Sequence, residues 1–350
     1  MSRARVVIGA NFGDEGKGLV TDYLCAQGAG VVVRFNGGAQ AAHTVVTPEG
    51  DRHVFSHFGS GSLLGIPTYL SQFFICNPIA FIREAKQLDE IGIRPDVYAH
   101  PDCLVTTFVD MFVNQHLERE RGDDRHGSCG LGVSETINRC DVPELKLTMS
   151  DLWNGIKLNP LMDQLCTTWA RFRMKKAIED AEPMVAEFIK QANRFADIVH
   201  PAGISQCHDP VFEGAQGLLL DQNNKEFFPH LTRSNTGMRN VNALAEMAGF
   251  TDLDIYYVTR TYLTRHGAGP LPGEDASMHF EDKTNGQNEW QGALRFAPLK
   301  WDPLQLRCFK DCEGKHDYKI VMTHCDQLDP PFRGAQLYVH GPTRTHVADE

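Results

Sequence analysis

The sequence predicts an α/β fold: a large, mostly parallel central β-sheet flanked by helices, with a P-loop-like glycine loop after the first strand. Three observations point there. Val6-Val7-Ile8 is a short β-branched run of the kind that forms a buried strand. It opens into a loop carrying Gly9, Gly13, Gly16 and Gly18, followed by a helical pattern over 17–27 and a second apolar run from Val31 to Phe35. A chain of 350 residues, 42% of them hydrophobic, can bury a sizeable core as one large α/β domain or two smaller ones.

The first loop, within VVIGANFGDEGKG, has the makings of a phosphate cradle. Glycines let backbone N–H groups close on phosphate oxygens, and the following helix N-terminus adds partial positive charge. Lys17 adds a full one. The spacing is not the ordinary P-loop, which would need glycine at Asn11 and a hydroxyl at Gly18. The acidic pair Asp14-Glu15 inside the loop is unusual. A carboxylate there either holds Mg²⁺ or takes a proton, because otherwise it would repel its ligand.

Further along, RFNGGAQAAHTVV (Arg34 to Val46) delivers Gln40 and His43 after Gly37-Gly38, and HFGSG (His57 to Gly61) forms another flexible turn. Ile79 to Ile91 has apolar residues at helical spacing, with Asn77-Pro78 as its start signal. HGSCGLGVSETINR (His126 to Arg139) is a second glycine loop, taken alone either a surface turn or a phosphate site. Residues 174–199 are helix-rich, with Pro183 capping or interrupting. VFEGAQGLLLDQ (Val211 to Gln222) reads as a strand ending in a glycine turn. The carboxamide of Gln216 either stabilises that turn or meets a purine edge, since it can donate and accept.

Composition narrows the class. The formal net charge is −11 and no basic run reaches five residues, which argues against a nucleic-acid surface but not against a nucleotide met by a local positive pocket. MSRARVVIGAN enters a strand directly without an apolar leader core, and no apolar stretch approaches eighteen residues. The expectation is a cytoplasmic protein with no membrane partner. The ten cysteines form no CxxC and read as reduced, buried thiols. Cys308, Cys312 and His316 share a helix face but match no usual structural-zinc spacing, so packed thiols and a surface histidine are preferred.

GDEGKG followed by RFxGGxxAxHT resembles the adenylosuccinate synthetase family, which joins aspartate to the 6-position of a purine nucleotide. The resemblance runs from about residue 4 to 345 and implies a single catalytic domain over 1–350. It assigns catalytic roles to Asp14, Lys17, His43 and Gln216, and Mg²⁺ to the Asp14 carboxylate and the Ala42 carbonyl. It gives the triphosphate Gly13, Glu15, Gly16, Lys17, Gly18, Thr44, Thr323, Asp326, Gly341 and Pro342. The acceptor nucleotide falls to Asn11, Gln40, Ser128, Cys129, Arg139, Gln216, Leu220, Thr232 and His266, and the amino acid to Gln291, Gly292 and Arg295. Arg139 corresponds to an arginine that reaches across a homodimer interface to the acceptor's 5′-phosphate. Asp326, in THCD, stands where the family's TKxD reads guanine, and VHGPTR (Val339 to Arg344) matches its closing turn.

The departures carry information too. Ser128-Cys129 stand where two threonines are usual. His266 replaces valine near the acceptor ribose, or is a surface histidine. His324 replaces the lysine beside the base, and of the arginine-rich aspartate loop only Arg295 survives, in NEWQGALRFAPLKWD. The short length, Gln40 and the depleted arginine loop look more like the family's bacteriophage branch. That branch uses dGMP with ATP or dATP to make a succinylated 2-aminodeoxyadenylate for 2-aminoadenine DNA. IMP with GTP, giving adenylosuccinate, is the alternative. Outside the family stand a nucleotide switch or kinase, for which His43 would be dispensable, and a catalytically dead binding module, which would turn nothing over.

Overall fold

The computed structural model describes residues 3–282 and 292–349. A ten-stranded sheet runs through the molecule. From one edge its strands are Val347–Asp349, Leu337–Val339, Tyr318–Thr323, Asp252–Arg260, Arg3–Gly9, Pro210–Gly217, Val31–Arg34, Thr68–Leu70, Val97–Ala99 and Val199–Pro201. Neighbours are parallel except at the first edge, where Val347–Asp349 runs antiparallel to Leu337–Val339. The expected α/β class with a large, mostly parallel sheet is what the chain forms.

The inner strands are apolar along their length because helices cover both faces, as parallel connections require. Alternation along Arg3–Gly9 divides the core. Ala4, Val6 and Ile8 pack with Met238, Val241, Leu244, Leu304 and Cys308, from the helices Met238–Ala248 and Trp301–Asp311. Val7 faces the opposite side and packs with Val20 and Leu24 of the helix Lys17–Ala26. A third cluster, built on the helices Pro78–Glu90, Phe108–Arg121 and Glu182–Ile198, covers the far end of the sheet.

Local sequence explains where the helices begin. Asn77 accepts the Ala80 amide at 3.1 Å ahead of Pro78. Thr107 and Asp110 exchange side-chain bonds with each other's backbone in a capping box. The 174–199 stretch is narrower as a helix than its composition implies. Lys175 and Asp180 take left-handed φ of 63° and 50°, and one helix starts only at Glu182, with Pro183 in its first turn. All ten cysteines are unbridged, and Cys308 and Cys312 lie in the core. No helix among the described residues is long and apolar enough to cross a membrane.

Candidate active site

The C-terminal ends of five adjacent parallel strands, at Gly9, Arg34, Gly217, Arg260 and Thr323, meet along one edge of the sheet, where open α/β sheets place their ligand sites. The first loop turns there, with Gly13 and Gly16 at φ 98° and 90° and Gly16 at the N-terminus of the Lys17–Ala26 helix. Gly9 is required by crowding. A Cβ on it would stand 2.6 Å from the Gln216 carbonyl and 2.8 Å from Lys17 Nζ, with Glu15 Oε2 nearer still.

Glu15, expected at the triphosphate, has its side chain engaged within its own loop. Its carboxylate faces into the loop and accepts from the Asn11 amide at 2.9 Å, the Gly13 amide at 2.8 Å and Lys17 Nζ at 2.9 Å. Both side chains of the Glu15–Lys17 pair are almost wholly buried. A buried carboxylate needs such donors, and here it braces the cradle from beneath. Thr323 Oγ1 donates to the Glu15 carbonyl at 2.8 Å and its methyl packs under Gly16. Asn11 is tied by its amide to Thr259 Oγ1 at 2.8 Å and by its carbonyl to Arg307.

His43 opens the His43–Val46 strand beside Gly18, and its Nδ1 lies 2.8 Å from Glu213 Oε1. Glu213 is fully buried and also accepts from the Ser60 amide at 3.1 Å and from the Ser60 hydroxyl. Burial alone would raise the Glu213 carboxyl. His43, Arg34 and the hydrogen bonds outweigh it and hold the group down at about 2. An ionised carboxylate can only accept, so Nδ1 of His43 carries the proton and Nε2 is left for a ligand. Burial lowers His43 from its ordinary value, against the pull of the Glu213 carboxylate.

Asp14 sits half-buried at the top of the loop in a left-handed conformation, φ 59°. Burial raises its carboxyl against the pull of Arg260, Lys17 and His266, as suits a group that accepts a proton. Across the cleft, Gln216 also has a left-handed φ of 57°, and its Oε1 is buried without a hydrogen-bond partner. The same is true of both amide atoms of Gln40. Both amides border Gly37, whose added Cβ would lie 3.3 Å from Gln40 Nε2 and 3.4 Å from Gln216 Oε1. Unsatisfied buried amides are costly, and their convergence marks a place built for a polar ligand edge.

The second glycine loop is tied to the Phe108–Arg121 helix. Ser128 Oγ donates to Asn114 Oδ1 at 2.8 Å and accepts from the Gly130 amide, while burial raises the neighbouring Cys129 thiol. Arg139, expected to reach across an interface, is engaged within its own chain. Its side chain is fully buried and its donors go to Asp110 at 2.9 Å, the Leu145 carbonyl at 2.5 Å and the Val105 carbonyl at 2.6 Å, so it clamps its own chain. Thr232 donates its amide to the Leu220 carbonyl at 2.9 Å, and His266 ends the Tyr262–His266 strand. Arg295 Nη1 pairs with Glu274 at 2.7 Å and its Nη2 meets the Gly267 and Gly269 carbonyls, so its fork is engaged before any amino acid binds. Gly292 is exposed, and Gln291 lies outside the described residues. Thr44 is half-buried beside Gly18, Ala42 is exposed without a left-handed φ, and Asp326, Gly341 and Pro342 border solvent past the Tyr318–Thr323 strand.

The model of the adenylosuccinate synthetase family matches residues 6–294. The chain belongs to that family. It is 32% identical over 289 residues to the adenylosuccinate synthetase of Ectopseudomonas mendocina, a match covering 78% of this chain and 65% of that one. It is 31% identical over 314 residues to that of Marinobacter nauticus, covering 84% and 71%. The chain thus spans less than two thirds of the length of the first of these relatives. The fold also matches the fully ligated adenylosuccinate synthetase of Plasmodium falciparum, with TM-score 0.78, 15% identity and 99% of each chain covered. It matches the cyanophage S-2L succinoaminodeoxyadenylate synthetase bound to dGMP and dATP, with TM-score 0.64, 14% identity and 100% and 95% covered.

Within this family fold, three charged site residues had no role assigned from sequence: Arg34, Glu213 and Arg260. Each is a buried charged residue beside apolar strand residues, in VVVRF, VFEGAQ and IYYVTR: Arg34 and Arg260 close their strands and Glu213 stands in the middle of Pro210–Gly217. That signal was present, because an ion buried in a parallel strand must have a partner or a purpose.

Proposed function

We propose that the chain ligates L-aspartate to C6 of a 6-oxopurine nucleotide through a 6-phosphoryl intermediate, with dGMP as acceptor and ATP or dATP as donor. The observation that carries the reaction class is the meeting of Asp14, Lys17 and the His43–Glu213 pair with the unpartnered amides of Gln40 and Gln216 at one sheet edge. A 6-oxo group leaves poorly until it is activated. Asp14 takes the N1 proton and O6 attacks the γ-phosphorus, breaking its bond to the bridging oxygen of the nucleoside diphosphate. The amine of aspartate then adds at C6 and inorganic phosphate departs, the amine giving up a proton as it does so. The loop amides and the helix N-terminus meet the triphosphate, with the Glu15–Lys17 pair bracing them from beneath, and His43, its Nδ1 proton committed to Glu213, presents Nε2 to the transferring phosphoryl group.

The hard oxygens of Asp14 and the Ala42 carbonyl suit Mg²⁺, which when bound neutralises phosphate charge. The dGMP reading is supported by the dGMP- and dATP-bound cyanophage neighbour and by an aspartate loop poor in arginine. The name shared by the bacterial relatives supports IMP with GTP as the second reading. Incubation with Mg²⁺, aspartate and each pairing of IMP, dGMP or GMP with GTP, ATP or dATP, read by mass spectrometry, separates them. A succinylated 2-aminodeoxyadenylate is expected, lost on Asp14→Asn. Adenylosuccinate alone overturns the acceptor, and triphosphate hydrolysis indifferent to aspartate overturns the ligase.

A further inference from the structure

Arg260 is a cation at the end of a buried strand, 2% exposed, which is tolerated only where its donors are satisfied. Its Nε donates to the backbone carbonyl of Asp14 at 2.5 Å, its Nη1 to the Tyr262 hydroxyl at 3.2 Å and its Nη2 to Asp282 Oδ2 at 2.7 Å. The guanidinium also lies 5.7 Å from the Tyr262 ring centroid.

Asp14 is the residue that needs such a clamp. With φ 59° it carries a Cβ in backbone space that favours glycine, a state that persists only where surrounding bonds enforce it. Two consecutive carbonyls are held from outside the loop: that of Asp14 by Arg260 Nε and that of Glu15 by Thr323 Oγ1. Arg260 thus holds the peptide plane that leaves the Asp14 Cα and Thr323 the plane after it, so the loop is fixed on the C-terminal side of Asp14. The other charged groups facing Asp14 are Lys17, His266 and Glu15, of which Lys17 and Glu15 are committed to each other.

We propose that Arg260 is a positioning residue that enforces the left-handed backbone of Asp14 and so aims its carboxylate, with Asp282 anchoring the far side of the guanidinium. What Asp14 then does rests on the ligase reading above; the clamp itself does not.

The test compares wild type with Arg260→Lys, Arg260→Ala and Asp282→Asn, measuring kcat, KM for each substrate, triphosphate affinity and melting temperature. Lysine keeps the charge but cannot reach the Asp14 carbonyl, the Tyr262 hydroxyl and Asp282 together. Arg260→Lys is therefore expected to lower kcat by about 10²-fold, with triphosphate affinity little changed, since a small misplacement of a reacting group costs that much. Arg260→Ala should be slower still and partly rescued by added guanidinium, and Asp282→Asn should fall between wild type and the lysine variant. Undiminished kcat in Arg260→Lys, or a loss confined to KM, overturns the proposal. If wild type makes no succinylated nucleotide, the ligase reading fails, and the clamp is judged by the crystal structure of Arg260→Lys. An Asp14 still left-handed and in place there refutes it, and a displaced Asp14 sustains it.

Discussion

Glu213 decides which nitrogen of His43 meets a ligand. An ionised carboxylate 2.8 Å from Nδ1 forces the proton onto that atom, and the Ser60 amide keeps the carboxylate in place. Glu213→Gln keeps the shape, but its amide can donate to Nδ1 and so stabilise the opposite tautomer. Its kcat in the ligation assay is expected to fall by about 10²-fold or more, with triphosphate affinity nearly constant. An unchanged kcat would separate His43 from Glu213. Burial lowers the imidazole from its ordinary value, and anionic phosphate placed beside Nε2 works in the opposite direction.

At the scale of elements, the cradle depends on how closely the first strand, its loop and the Pro210–Gly217 strand approach one another. Gly9→Ala would drive a methyl into the Gln216 carbonyl, Lys17 Nζ and the Glu15 carboxylate. The expected cost is about 1–3 kcal/mol in urea unfolding, together with loss of triphosphate binding by calorimetry, because the Glu15–Lys17 pair must shift. Unaltered binding would show that the cradle is not held from beneath. The elements themselves were largely legible in sequence. β-branched runs, glycine punctuation and the Asn77-Pro78 start signal placed the strands Arg3–Gly9 and Val31–Arg34 and the helices Lys17–Ala26 and Pro78–Glu90 to within a few residues. The break at Lys175 was not legible, since a lysine that ends a helix in the left-handed region, its amide on the Arg171 carbonyl, has no local signature.

Across the whole molecule, Asp311 joins three parts of the fold. Its carboxylate accepts the Tyr257 hydroxyl at 2.7 Å from the sheet and the Met238 amide at 3.2 Å at the start of one helix, from the end of another. Burial pushes its carboxyl up from 3.8 to about 6. A carboxyl raised on folding binds its proton more tightly in the native state, so its contribution is most favourable below pH 3.8 and is lost as pH rises through 6. Relative to Asp311→Asn, wild type is expected to lose up to about 3 kcal/mol of unfolding free energy over that interval. Urea titrations of both proteins at several pH values check this, and a pH-independent difference refutes it. Glu213 has the opposite sign. Held down at about 2, it stabilises the fold above its ordinary value of 4.5 and loses that contribution in acid.

What the sequence by itself determined was the family, the α/β class and the positions of the chemistry-bearing loops, because those rest on short stretches whose backbone needs are local: glycine where a chain must turn tightly, β-branched residues where it must extend. Tertiary structure decided how the charges are used. Glu15 braces its own loop, Arg139 clamps its own chain, Arg295 is already engaged, Glu213 meets His43, and Arg260 bonds the Asp14 carbonyl. A buried ion is tolerated only with a partner, and the partners Asp110, Glu274, His43 and Asp14 lie 21 to 246 positions from the residues they meet, so no local pattern could name them.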